Sequence, residues 1–76
     1  MEEKILEILE DINEDIISYE GDDMYTEGVI TSVEVLDIVS DIEDEFDIEI
    51  DAKYVIAENF ANKEAIIALV KQIAGE

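Results

Sequence analysis

The sequence predicts an all-α fold, a small bundle of three main helices and one short helix. Along three stretches, apolar residues recur at spacings of three and four, as they do on helices with one buried face. Only Asp47-Ile48-Glu49-Ile50-Asp51 alternates like a strand, and no second segment could pair with it. At 76 residues the chain is one domain (1–76), near the lower size limit for a single apolar core. Hydrophobic residues make up 49% of it, which is too apolar for a disordered acidic tail despite a net charge of −19.

From Glu2 to about Ser18, Ile5, Ile8, Leu9, Ile12 and Ile16 fall on one helical face, flanked by Leu6 and Ile17. Glu2 and Glu3 suit the N-terminal turn of this first helix. Tyr19 to Ile30 shows neither period and contains Gly21 and Gly28. It reads as a long ordered loop pinned by Met24, Tyr25, Val29 and Ile30. The second helix runs from about Ser32 to Phe46, with Thr31 as N-cap and Glu34 completing a capping box. Val35, Leu36, Ile38, Val39, Ile42 and Phe46 form its broad apolar face, opposite Glu34, Asp37, Asp41, Asp44 and Glu45.

The alternating stretch after it is expected to be an extended connector whose two isoleucines dip into the core. Asp51 to about Ala57 is the short third helix, capped by Asp51 with Tyr54 and Val55 inward. Asn59-Phe60-Ala61 breaks it, and Phe60 is a core anchor. Asn62 caps the last helix, which places Ile66, Leu69, Val70 and Ile73 on one face with Ile67 beside them. Lys71 suits its final turn, and Gly75 is the stop signal.

Composition removes whole classes of chemistry. Without Cys or His there are no disulfides, thiolate metal sites, cysteine nucleophiles or histidine bases, and the chain is read as a non-enzyme. With 23 acids against 4 basic residues, nucleic acid and anionic membrane are repelled. A basic protein face is attracted, with encounter fast and salt-sensitive. No apolar run approaches a membrane span, and Met1-Glu2-Glu3 is unlike the start of a signal peptide. The expectation is a monomeric cytoplasmic protein. Asp11-Ile12-Asn13-Glu14-Asp15 opens like a calcium loop, but Ile16 occupies the position that needs Gly. No metal site is expected there.

Ser32 is the candidate functional residue. A hydroxyl at a helix start is most often just a cap. Thr31 already fits that role, which leaves Ser32 one step inside, where unpaired N–H groups and the helix dipole favour a phosphate. Neither Ser18 nor Ser40 has such a loop-to-helix setting. The acids of the second helix read either as an ordinary solvated face or as a docking surface. Glu34, Asp37 and Asp41 flank Ser32 with no basic residue among them, which favours docking.

Asp22-Asp23-Met24-Tyr25-Thr26-Glu27-Gly28-Val29-Ile30-Thr31-Ser32-Val33-Glu34-Val35-Leu36 resembles the prosthetic-group region of the acyl carrier protein family. There an acidic-aromatic-Gly loop leads into an Asp-Ser-Leu-type motif. Ile42-Glu43-Asp44-Glu45-Phe46-Asp47-Ile48-Glu49-Ile50 is similar to the family's acidic-Phe-Gly-Ile-Glu-Ile segment. Glu58-Asn59-Phe60-Ala61-Asn62-Lys63-Glu64-Ala65-Ile66 is similar to the entry into its last helix. The resemblance spans the whole domain in order. This chain has Thr31 where the family usually has Asp, Val33 where it has Leu or Met, and Asp47 where it commonly has Gly.

The resemblance implies a four-helix acyl-carrier-protein-like bundle with 4′-phosphopantetheine attached covalently at Ser32. Acyl or aminoacyl groups would ride on that arm as thioesters. The implied partners are a phosphopantetheinyl transferase, an acyl- or aminoacyl-activating ligase and a downstream synthase or transferase. By the same analogy Thr31, Val33, Glu34, Asp37 and Asp41 are the partner-binding residues. Gly28, four residues before the serine, looks more like D-alanyl carriers and similar pathway-specific carriers than the fatty-acid carrier. The alternative is an unmodified acidic adaptor of the same fold that binds a partner through the second helix.

Overall fold

The structure, a computed structural model, describes residues 1–75. Among them it is all-helical and without strands: α1 (Glu2–Ile12), α2 (Asp15–Ser18), α3 (Ser32–Phe46) and α4 (Lys63–Ala74), with 3₁₀ turns at Ala52–Tyr54 and Ala57–Phe60. α1 packs on α3 and α4, and α4 also packs on the second 3₁₀ turn. Ile5, Leu9, Ile16, Ile38, Ile42, Phe60, Ile66 and Val70 fill the space between them. Each such side chain contributes roughly 1.5–3 kcal/mol by leaving water. Charged side chains stay out of this core, as desolvation demands. No helix among the described residues is long and apolar enough to cross a membrane.

The first helix is shorter than its apolar period suggests. α1 ends at Ile12, and Asn13 adopts an extended conformation (φ −162°, ψ 105°). The Asn13 Oδ1 accepts from the Asp15 N–H at 3.0 Å and starts α2 afresh. An asparagine side chain can bond to nearby backbone in this way instead of continuing the helix. The break keeps Ile16 buried, so the core is the same as a continuous helix would give.

α3 has the predicted bounds. The Thr31 Oγ1 accepts from the Glu34 N–H at 3.2 Å, and Glu34 Oε1 accepts from the Thr31 N–H at 3.0 Å. At the other end, Asp47 is left-handed (φ 52°, ψ 48°) and its N–H returns to the Glu43 carbonyl. The Glu43 carboxylate accepts from the Ile50 N–H at 2.7 Å, which docks the extended connector with Ile50 buried and Ile48 half-buried. Leu36 departs from expectation. The core stripe is narrower than predicted, Val35, Ile38 and Ile42 being buried while Leu36 faces outward.

The short third helix is replaced by the two 3₁₀ turns. Asp51 Oδ1 caps the first by accepting from the Lys53 N–H at 3.0 Å. Extended backbone at Ile56 (φ −128°, ψ 155°) separates it from the second. Tyr54 and Val55 are half-buried. Asn59 lies inside the second turn rather than breaking a helix, and its Nδ2 donates to the Tyr54 carbonyl at 2.8 Å. Phe60 is the buried anchor expected. Asn62 Oδ1 caps α4 by accepting from Ala65 N–H at 2.8 Å, and Gly75 ends it in the left-handed region (φ 81°).

The loop between α2 and α3 is ordered around Met24. Its side chain is fully buried and its N–H donates to the Ala61 carbonyl at 2.9 Å. Its own carbonyl accepts from Val29 N–H at 2.8 Å and Ile30 N–H at 3.3 Å. Asn62 Nδ2 adds a bond to the Gly21 carbonyl at 3.1 Å. Ile30 is buried and Val29 half-buried as expected, whereas Tyr25 is exposed.

Left-handed backbone costs an ordinary L residue roughly 1–2 kcal/mol, less for Asp and least for Gly. Asp47→Gly should therefore stabilise the protein by about 0.5–1 kcal/mol, read as a higher urea midpoint at unchanged slope. A lower midpoint would show that the Asp47 side chain itself supports the turn.

Candidate functional site

Ser32 is the first residue of α3 and is exposed. Thr31 takes the cap, and the Ser32 hydroxyl makes no hydrogen bond among the described residues. The capping box satisfies the Thr31 and Glu34 N–H groups, leaving those of Ser32 and Val33 without a protein partner among the described residues. These are the unpaired donors that a helix start offers to an anion.

Beside the serine opens an apolar cavity of about 330 Å³. Val35 and Leu36 of α3 form one wall, Val55, Ile56, Ala57 and Phe60 the other, and Tyr25 closes one side. Leu36, Ile56 and Tyr25 are 62%, 48% and 41% exposed, unusually high for large apolar side chains gathered at one opening. Ser32 and Leu36, four residues apart, share a helix face, so the hydroxyl stands at the rim of this opening.

The predicted docking residues do not form one group. Val33 is 66% exposed next to the serine. Asp37 is exposed one turn beyond Val33, roughly 140° round the helix from Ser32 but only about 7–8 Å along it. Asp41 lies about half a turn round the helix from Ser32 and roughly 13 Å along it. It faces a separate cleft shared with Ile8, Asp11, Asp44 and Glu45. Thr31 and Glu34 are engaged in the cap, and Glu34 is half-buried. Its second oxygen, Oε2, accepts from Asn13 Nδ2 at 3.1 Å. Among the described residues no cluster of His, Cys, Asp or Glu is arranged to hold a metal ion.

Comparison with protein-family models, curated proteins and solved structures returns no match. The geometry of the site is thus the basis for any reading of it.

Sequence reasoning placed Leu36 in the core and Tyr25 among the loop anchors, and it did not associate Val55, Ile56 or Ala57 with the serine. For Leu36 the signal was present, because a residue four beyond an outward-facing Ser32 faces outward too. For Ile56 and Tyr25 no local pattern exists. Their meeting depends on the Met24–Ala61 backbone bond across the fold.

The loop behind the cavity is braced by Tyr19. Its hydroxyl donates to Glu27 Oε2 at 2.6 Å and accepts from the Asp23 N–H at 2.9 Å. A Cβ at Gly21 would collide with this phenol, so the close approach requires glycine. Partial burial raises the Tyr19 phenol above its ordinary value of 10.0, and the bond to Glu27 raises it further. The neutral phenol is thus favoured in the folded state, and its contribution is complete below that ordinary value. It is lost as pH rises through the raised one. Wild type should lose melting temperature over this alkaline range more steeply than Tyr19→Phe. Parallel curves for the two would remove Tyr19 as the alkaline-sensitive brace.

Proposed function

We propose that the protein is an acyl carrier, with 4′-phosphopantetheine attached through a phosphodiester to the Ser32 Oγ. The observation that carries this reading is an exposed, unbonded serine hydroxyl at a helix start, on the rim of an apolar cavity. The residues present fit the group. Ser32 would supply the attachment oxygen, and the unpaired N–H groups of Ser32 and Val33 would be free to hold a phosphate at the positive end of α3, worth roughly 0.3–1 kcal/mol. When attached, the group would supply the thiol that this Cys-free chain lacks, so that cargo could be held as a thioester.

The chain's own residues then have distinct tasks. Thr31 and Glu34 fix the turn that presents Ser32. Val33 offers an apolar contact next to the serine, and Asp37, one turn beyond Val33 on the same edge of α3, offers a negative charge to a basic partner face. The transferase that installs the arm, the ligase that loads it and the enzyme that unloads it would all meet this side. Leu36, Val55, Ile56 and Phe60 give an apolar part of the cargo a place away from water. That lining favours an acyl group over an aminoacyl group, whose ammonium would lose its hydration there. D-alanyl cargo is accordingly the less favoured member of the class.

A second reading is an unmodified adaptor, which the outward Val33 and Leu36 beside acidic Asp37 also suit. Intact mass measurement after incubation with coenzyme A, magnesium and a broad-specificity phosphopantetheinyl transferase separates the two. The carrier gains one phosphopantetheinyl group in wild type and none in Ser32→Ala. No gain in wild type would leave the adaptor.

Charge reversal should discriminate by position. Asp37→Lys should slow modification by about tenfold at low ionic strength and less at high salt, whereas Asp41→Lys should change it far less. Equal slowing by both would indicate attraction to the net charge rather than docking at the N-terminal end of α3.

A further inference from the structure

We propose that Asn13, in the break between α1 and α2, is a positioning residue for Ser32 that acts through the Glu34 carboxylate. A helix stop needs only its Oδ1, which accepts from the Asp15 N–H. The two protons of its Nδ2 go elsewhere. One is donated to the Val29 carbonyl at 2.9 Å and the other to Glu34 Oε2 at 3.1 Å. These partners lie 16 and 21 residues along the chain, so the bonds add nothing to the local break.

They do straddle the serine. Val29 precedes Ser32 by three residues and Glu34 follows it by two. Glu34 is thus shared, with Oε1 held by the Thr31 N–H and Oε2 by Asn13. Both side chains are half-buried, which limits competition from water, and a bond to a carboxylate is among the stronger kinds. The amide is specific for the task. Asp at position 13 has no proton to donate and would set a second carboxylate against Glu34, while Ala would leave Glu34 Oε2 and the Val29 carbonyl without this donor. One side chain therefore ties the loop end, the cap and the helix start to the end of α1.

The consequence for modification rests on the carrier reading, but the hold on the Ser32 turn does not. The test compares wild type, Asn13→Ala, Asn13→Asp, Glu34→Gln and the double variant Asn13→Asp/Glu34→Gln. Hydrogen exchange of the Thr31 and Val70 amides is followed by NMR on the unmodified protein, alongside transferase kcat/KM by intact mass. Asn13→Ala should speed Thr31 exchange by roughly tenfold or more, Asn13→Asp further still, with Val70 in α4 unchanged. The double variant should recover protection relative to Asn13→Asp. The amide introduced at position 34 can donate to the carboxylate at position 13 while its oxygen still accepts from Thr31.

Transferase kcat/KM should fall and recover in the same order. Unchanged Thr31 exchange in Asn13→Ala, or no recovery in the double variant, would overturn the proposal. So would loosened exchange with an undiminished kcat/KM. If wild type accepts no group at all, the carrier reading falls, and the exchange comparison alone upholds or overturns the hold of Asn13 on this turn.

Discussion

The backbone of Met24 is the centre of the fastening between the long loop and the start of α4, with the Asn62 bond to the Gly21 carbonyl beside it. Its N–H reaches the Ala61 carbonyl, and its carbonyl takes both the Val29 and Ile30 N–H groups. A loop of this length cannot be buried unless its backbone polar groups find partners. Met24 supplies three of those bonds while its side chain enters the core. Tyr25 follows it directly and Phe60 precedes Ala61, so the same fastening brings together two residues that line the cavity beside Ser32. Core, loop and site are set by one geometry.

Charge sets the other boundary condition. With an excess of 19 negative charges, the exterior repels itself, and the folded state persists because its aliphatic core is free of charged side chains. Three of the four lysines meet a partner. Lys71 reaches Glu2 at 3.4 Å, Lys63 reaches Glu64 at 3.4 Å, and Lys53 lies over the Tyr54 ring at 5.2 Å. Exposed pairs of this kind add little stability. α3 itself carries no basic residue, so around Asp37 the helix presents only negative charge, the condition a basic partner would meet.

The sequence was most legible where structure is local. The bounds of α3 follow from Thr31 and Glu34 at one end and a residue tolerant of left-handed backbone, Asp47, at the other, all within a turn of the ends they define. The cap of α4 at Asn62 and the anchor at Phe60 are of the same kind. The break at Asn13 was hidden because Ile12 and Ile16 keep helical spacing across it, and two of the amide's partners are remote in sequence. Residues 51–60 misled for a different reason. A cap at Asp51 with Tyr54 and Val55 inward does not reveal that Ile56 is extended and divides the segment into two turns. Ser32 could be singled out from Thr31 beside it, but the cavity at its side needed the 3₁₀ segment to be placed against α3, which no local pattern encodes.

The two walls of that cavity differ in stiffness. The α3 wall is a fifteen-residue helix with both ends fastened. The opposite wall is held by short-range bonds, from Tyr54 N–H to Asp51, Val55 N–H to Ala52 and Asn59 N–H to Ile56, of the weaker 3₁₀ geometry. Phe60 is buried at its far end, while Tyr54 and Val55 are only half-buried against the core. Exposed, short-range bonds of this kind belong to the class that opens at lower free energy than a long capped helix. Were a guest to enter between the two walls, residues 52–57 would therefore be the wall to give way and α3 the one to stay.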